Sequence, residues 1–333
     1  MKAQGLAVQA GLAVAGLAAA LLVWQREPES APGEVVVVEA SRRSLSRVRY
    51  EDGARTSELV PGEEGLWVQV EQKAVPPVPA HPPLPDGGSV ALPAPPAAPP
   101  PAPARLLRAN EAAEQLLARF TPMRATRNLG VLDEKKQAEL GLKASPRRLT
   151  LTVSGRPEAF SVSAAQPGLG STYLRRESDG RVFVVAPALV TDLENAASRL
   201  VDRRLHAFEP EAFHTLEVKQ GGAQRRFQVA GTPPVYTPEG AGQPDTFARN
   251  WHEKVWKLVP LELLGKGEAP QGALQPAFEV AYVEKGKQVG SLTLSRNGQG
   301  EYYARTEHTP GWVKLHGNAE ALVSEAAKVA TGK

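Results

Sequence analysis

The chain has 333 residues, a formal net charge of +3 at neutral pH, 42% apolar residues, and 30 each of glycine and proline. That length is enough for two domains with sizeable cores, and so small a net charge makes no electrostatic case for a nucleic-acid partner. There is no cysteine, which excludes disulfides, thiolate metal sites, cysteine nucleophiles and cysteine-borne lipidation.

Residues 6–24 are apolar apart from Gln9. As a helix they would span about 28 Å, close to the hydrocarbon thickness of a bilayer, so a transmembrane anchor is predicted within residues 1–26. Lys2 and the free amine favour an N-terminus inside, and Trp24 sits where an interfacial aromatic belongs. The competing reading is a cleaved signal peptide cut near Ala18-Ala19-Ala20, but apolar Leu21-Leu22-Val23-Trp24 follows instead of polar sequence. Both readings place the remaining chain outside the cytoplasm.

A first unit is expected over residues 34–204. Residues 34–39 are β-branched and read as a strand. Val48-Arg49-Tyr50 and Ser57 to Val60 flank a turn at Asp52-Gly53, and Leu66-Trp67-Val68 alternates as a third strand. Residues 75–104 are rich in proline and alanine and nearly uncharged, a composition suited to polyproline II. Extended, they would reach on the order of 90 Å. They read as an insertion looping out of a domain, with a spacer across an envelope layer as the alternative. Asn110 is a suitable N-cap for a helix whose Ala113, Leu116, Leu117 and Phe120 share one face, ended by Pro122. Residues 123–130 read as one strand. An antiparallel meander follows, in which Tyr173-Leu174-Arg175 pairs with residues 182–185 across Ser178-Asp179-Gly180. Pro187 opens a helix with a buried stripe of Val190, Leu193, Ala197 and Leu200.

A second unit over residues 205–331 repeats this order. Leu216 and Phe227 lie 168 residues beyond Val48 and Leu59, Trp251 and Val255 lie 135 beyond Leu116 and Phe120, and Tyr303 lies 130 beyond Tyr173. Residues 232–242 stand in for the proline tract. Asn318 caps a last helix carrying Leu322, Val323, Ala326 and Val329 on one face. The expected fold is therefore α+β: an N-terminal transmembrane helix, then two related α/β units, each a small, mainly antiparallel sheet packed with helices.

The single N-terminal helix, the hairpin with its Trp67 strand, the helix at residues 110–120 and the Leu140-Gly141-Leu142 to Pro146 turn together resemble the DUF4340 family of bacterial envelope proteins. The closest stretch is Leu200-Val201-Asp202-Arg203-Arg204-Leu205 with Phe208-Glu209-Pro210 and Leu216-Glu217-Val218. The resemblance implies a single-pass protein of the bacterial inner membrane with its bulk in the periplasm. It also implies partners among membrane complexes of the envelope, including ABC-type transport subunits like those of gliding motility. It carries over no catalytic residue. The proline tract departs from the family pattern, as does the lack of a tryptophan-strand counterpart in the second unit, which leaves that unit's strand count open.

No chemistry-bearing motif appears. The six histidines, His81, His206, His214, His252, His308 and His316, show no metal-ligand spacing and read as surface or turn residues. No catalytic, cofactor or metal residue is nominated. Four arginine pairs stand out: Arg147-Arg148, Arg175-Arg176, Arg203-Arg204 and Arg225-Arg226. Arg147, Arg148, Arg175, Arg176, Arg225 and Arg226 are candidates for contacting an anionic glycan, a lipid headgroup or a partner protein. Solvated strand edges are the plainer explanation. Asp202, Arg203 and Arg204 are expected to lock the two units together, with Arg203 paired to the acidic turn at 209–211. The functional expectation is a non-enzymatic scaffold or accessory subunit. A binding module for an anionic envelope glycan is the first alternative, and a hydrolase with an unrecognised site the second.

Overall fold

A computed structural model describes residues 34–73, 103–164, 170–317 and 319–332. The predicted anchor at 6–24, nearly all of the proline tract and the cap residue Asn318 lie outside the described residues. Among the described residues no helix is long and apolar enough to cross a membrane.

The first half of the chain forms β1 (Val35–Val38), β2 (Leu45–Glu51), β3 (Arg55–Gly62), β4 (Gly65–Gln72), β5 (Arg105–Arg108), α1 (Glu111–Ala118), β6 (Met123–Ala125) and β7 (Arg127–Val131). It continues through α2 (Glu134–Glu139), β8 (Arg148–Val153), β9 (Arg156–Val162), β10 (Thr172–Arg176), β11 (Arg181–Val185), α3 (Ala188–Glu194) and α4 (Ala196–Arg199). The second half, after a 3-10 turn at Pro210–Ala212, forms β12 (Thr215–Gln220), β13 (Ala223–Ala230), β14 (Val235–Pro238), α5 (Thr246–Trp256) and β15 (Pro260–Leu263). It closes with β16 (Leu274–Glu284), β17 (Lys287–Asn297), β18 (Tyr302–Thr306), β19 (Val313–Leu315) and α6 (Ala319–Thr331).

The fold is sheet-rich α+β, and its strand pairings are antiparallel. The first sheet has nine strands in the order β5-β4-β3-β2-β8-β9-β10-β11-β7; the second has eight, β14-β13-β12-β16-β17-β18-β19-β15. These sheets are larger than the small ones expected. Read from β4 to β7, the first order is matched strand for strand by the second. Val48 pairs with Leu59 and Leu216 with Phe227, while Tyr173 faces Val184 and Tyr303 faces Lys314. The turns agree as well. Ser154-Gly155 and Lys285-Gly286 both hold positive φ at two successive residues, the conformation a two-residue hairpin with right-handed twist needs. Each sheet has its own core, with Leu116, Phe120 and Phe160 in one and Trp251, Phe227 and Phe278 in the other. Helix α3 covers β2 and β3, and α6 covers β12, β13 and β16.

Local chemistry accounts for the helix starts. Asn110 accepts a hydrogen bond from the Ala113 N–H and Asp245 one from the Ala248 N–H, each satisfying a donor the first turn leaves free.

Three expectations need correction. Residues 123–130 are two strands: β6 leaves to pair with β1 in a separate ribbon, and β7 runs to the far edge of the first sheet. The helix after Pro187 breaks at Asn195, so Ala196 is buried where Ala197 was expected, and Ala197 is exposed. The second sheet does possess a counterpart of the Trp67 strand: β14 pairs with β13 as β4 does with β3, with Thr237 in the tryptophan's place. What the second sheet lacks is an equivalent of β5, which adds a ninth strand to the first.

That extra strand is where the halves meet. The Lys266 N–H donates to the Leu106 carbonyl at 3.0 Å, and Arg105 reaches Glu262 at 2.7 Å and Glu268 at 2.9 Å. Gly265 lets the two chains approach this closely, since a Cβ would stand a tight 3.2 Å from both Arg105 Cα and Leu106 N. Trp67 lies under the Lys266 ammonium, 4.9 Å from its ring centroid.

Candidate functional site

The chain crosses between the halves at residues 200–209, and a buried polar cluster that includes Asp202, His206 and His308 forms around this crossing. Asn110 N–H donates to the Leu200 carbonyl and Asp202 N–H to that of Arg108, so the crossing begins as an extension of β5. Asp202 is buried and held by two partners: His308 Nε2 at 2.9 Å and the Arg204 guanidinium, whose Nη2 is 2.7 Å from Oδ2. Burial alone would raise the Asp202 carboxyl's pKa. The hydrogen bonds from His308 and Arg204 outweigh it and hold the group well below the usual carboxylate range. Arg203 does not reach the acidic turn; its Nη2 donates to the Ala197 carbonyl at the end of α4, at 3.2 Å. Arg204 therefore pairs with Asp202, and Arg203 ties down a helix end. The spacing explains the swap: Arg204 lies two residues beyond Asp202 in an extended stretch and shares its side.

Four residues further, His206 Nδ1 lies 3.1 Å from Glu307. The imidazole stacks on Trp256 with ring centroids 4.7 Å apart and planes at 12°, and meets Tyr282 edge-on at 4.9 Å. Phe208, Phe213 and His252 complete the ring cluster. His252 is fully enclosed between two tyrosines, with Tyr236 Oη at 2.7 Å from Nδ1 and Tyr282 Oη at 3.3 Å from Nε2. Burial pushes its pKa down to about 3, His206 adding to the effect, so the ring is neutral. Burial pushes the Tyr236 phenol up to about 12 and raises Tyr282 as well. Glu307 is lowered: burial opposes ionisation, but hydrogen bonds from His206 and the Ser291 N–H prevail. His206 Nε2 is buried with no hydrogen-bond partner. Gly290 makes room for this arrangement, since a Cβ there would lie 2.2 Å from Phe208 and 2.9 Å from Glu307 Oε2.

Three of the six histidines, His206, His252 and His308, are thus buried, contrary to the surface reading. Their sequence neighbourhood carried the signal: Phe208, Phe213, Tyr236, Trp256 and Tyr282 are concentrated in this half. The first sheet shows that the fold does not need them. Seven residues after each helix cap stand Leu117 and His252. Opposite Val48 and Leu216 stand Leu151 and Tyr282, and opposite Pro61 and Val229 stand Leu66 and Tyr236. Three leucines of one core are a histidine and two tyrosines in the other. Perturbed titrating groups gathered in this way mark candidate functional positions.

The arginine pairs do not converge on one surface. Arg147 is half-buried, donating to Tyr50 Oη at 3.1 Å and binding Glu194 and the Ser163 carbonyl. Arg148 meets Glu177 at 3.2 Å. Arg175 donates to the neutral Gln137 and Ser161, while Arg176 lies over Phe183 and binds the Val37 carbonyl, Glu158 and Asp179. Arg225 meets Asp245 at 2.9 Å and Arg226 meets Glu217 at 3.2 Å. Most of this charge is already balanced inside the molecule. Among the described residues no three His, Asp or Glu side chains converge as a metal site.

Residues 101–266 match the family model described as Domain of unknown function (DUF4340). No curated protein and no solved structure matches the chain.

Proposed function

We propose, starting from a chain that belongs to the DUF4340 family through residues 101–266, a non-enzymatic role: an extracytoplasmic scaffold or accessory subunit anchored by residues 1–26. In this reading the units at 34–204 and 205–331 arose by duplication. Their shared strand order supports it. The protein sits in a bacterial inner membrane, presents its bulk to the periplasm, and serves an envelope complex such as an ABC-type transport assembly.

One observation carries the reading. The sheets are tied at two separate places, Arg105 to Glu262 and Glu268, and Asp202 to His308. Two ties resist rotation where one would permit it, so the chain offers partners a platform of fixed shape. Crosslinking in intact bacteria, followed by purification from membranes, tests the role. Recovery with transport-complex subunits is the expected result; a protein that reproducibly comes back alone would refute it. The rival reading, binding of an anionic glycan, has less support because only Arg175 among its six candidates contacts neutral partners alone. Retention on purified cell wall at low salt distinguishes it from the first.

A further inference from the structure

Beside the crossing lies a cleft of about 240 Å³ whose wall includes Arg203, Arg204, His206, Phe208, Glu209 and Trp256. We propose that this cleft binds a single neutral sugar unit.

The argument begins with charge. Arg204 is balanced by Asp202, and exposed Glu209 stands in the same wall as Arg203. The wall therefore holds no surplus of either sign to select an anion or a cation. Its hydrogen-bonding capacity is nevertheless not used up. Arg204 spends Nε and Nη2 on Asp202 and keeps Nη1, and Glu209 keeps carboxylate oxygens that can accept from hydroxyls. Balanced charge with open donors and acceptors suits hydroxyl groups.

The second element is aromatic. Phe208 and Trp256 are partly exposed, with ring centroids 5.5 Å apart and planes at 62°, so they form a corner in the wall. A ring that is apolar on its faces and polar at its rim fits such a corner: its C–H face lies on an aromatic surface and its hydroxyls reach the planar polar groups. The third element is His206, a wall residue that Glu307 holds at 3.1 Å and that stacks on Trp256, fixing the indole in the corner.

The test is saturation-transfer NMR on the full chain in lipid nanodiscs free of sugar-headed detergent. The probes are diacetylchitobiose and maltose as neutral sugars, with glucuronate and glucosamine as charged ones. Saturable transfer to at least one neutral sugar is expected, exceeding that to both charged ones. Trp256→Ala should weaken it on the order of tenfold. Trp256 also packs against His206, so two variants of exposed residues, Arg203→Ala and Glu209→Gln, provide a test that does not depend on the core. Each should weaken binding severalfold with an unchanged circular dichroism spectrum. Absence of transfer from both neutral sugars at millimolar concentration overturns the proposal. So does equal transfer to glucuronate or glucosamine, or undiminished binding in both surface variants.

Discussion

His308 Nε2 lies 2.9 Å from Asp202 Oδ2, joining residues 106 positions apart across the boundary between the two cores. Because Asp202 is buried, the contact forms part of the fold's interior and is shielded from salt.

Replacing Asp202 with Asn should therefore cost about 3 kcal/mol, since His308 and Arg204 would be left facing a neutral amide. The pH dependence has a definite sign. The folded-state pKa of Asp202 is depressed, so its contribution is complete above the ordinary carboxylate range and is lost as pH falls through and below it. Urea unfolding of both proteins at pH 7 and pH 3 checks this: the gap between them should narrow in acid.

His252 makes the protein lose stability in a different window. Its folded-state pKa is about 3 against 6.5 unfolded, so the unfolded chain takes up a proton that the folded one refuses. Stability should be full above pH 6.5 and fall below it by up to roughly 1.4 kcal/mol per pH unit. The triple variant His252→Leu with Tyr236→Phe and Tyr282→Phe, which leaves neither partner hydroxyl unpaired, should flatten that slope. Unfolding free energies measured between pH 7.5 and 5 test it.

Gly290→Ala should destabilise by about 1–3 kcal/mol, because the new methyl meets Phe208 and Glu307 at less than contact distance. Gly311→Ala should be worse, since its methyl would meet the backbone oxygens of Gly265 at 2.5 Å and Leu264 at 2.8 Å. Gly53→Ala, with nothing within 4 Å, should be close to neutral. Thermal unfolding of the three variants gives the ranking.

Arg147→Ala should cost about 2–3 kcal/mol, since Glu194 and the Tyr50 hydroxyl would remain without their cation. Tyr50→Phe alone should cost less, because Arg147 and Glu194 keep each other. A double-mutant cycle on the two residues should return a coupling of about 1 kcal/mol or more. An additive result would show that the hydroxyl plays no part.

Much of the local structure was legible in the residues. Ser178-Asp179-Gly180 announced the β10–β11 hairpin, pairing Tyr173-Leu174-Arg175 with residues 182–185, and the structure puts Tyr173 opposite Val184. The cap at Asn110 and the apolar face through Phe120 were equally direct, because both depend on neighbours within a few positions. Non-local features were not legible. Nothing near residues 123–131 shows that β6 and β7 part company, since their partners, β1 and β11, lie far away in the chain. The break at Asn195 depends on how α3 and α4 meet the sheet. The buried histidines escaped for a related reason: a histidine has no periodic signature, and its burial depends on tyrosines and a glutamate brought in by other strands.

Strands β4 and β5 are neighbours in the first sheet, Val70 facing Arg105, yet residues 73–104 separate them in the chain. In topology this is an ordinary hairpin whose turn has been lengthened. Closing a longer turn costs free energy only logarithmically, about 0.6 kcal/mol for each doubling. Related chains can therefore lengthen, shorten or recompose this stretch with little thermodynamic penalty, while the junction between Leu106 of β5 and Lys266, just beyond β15, stays as it is.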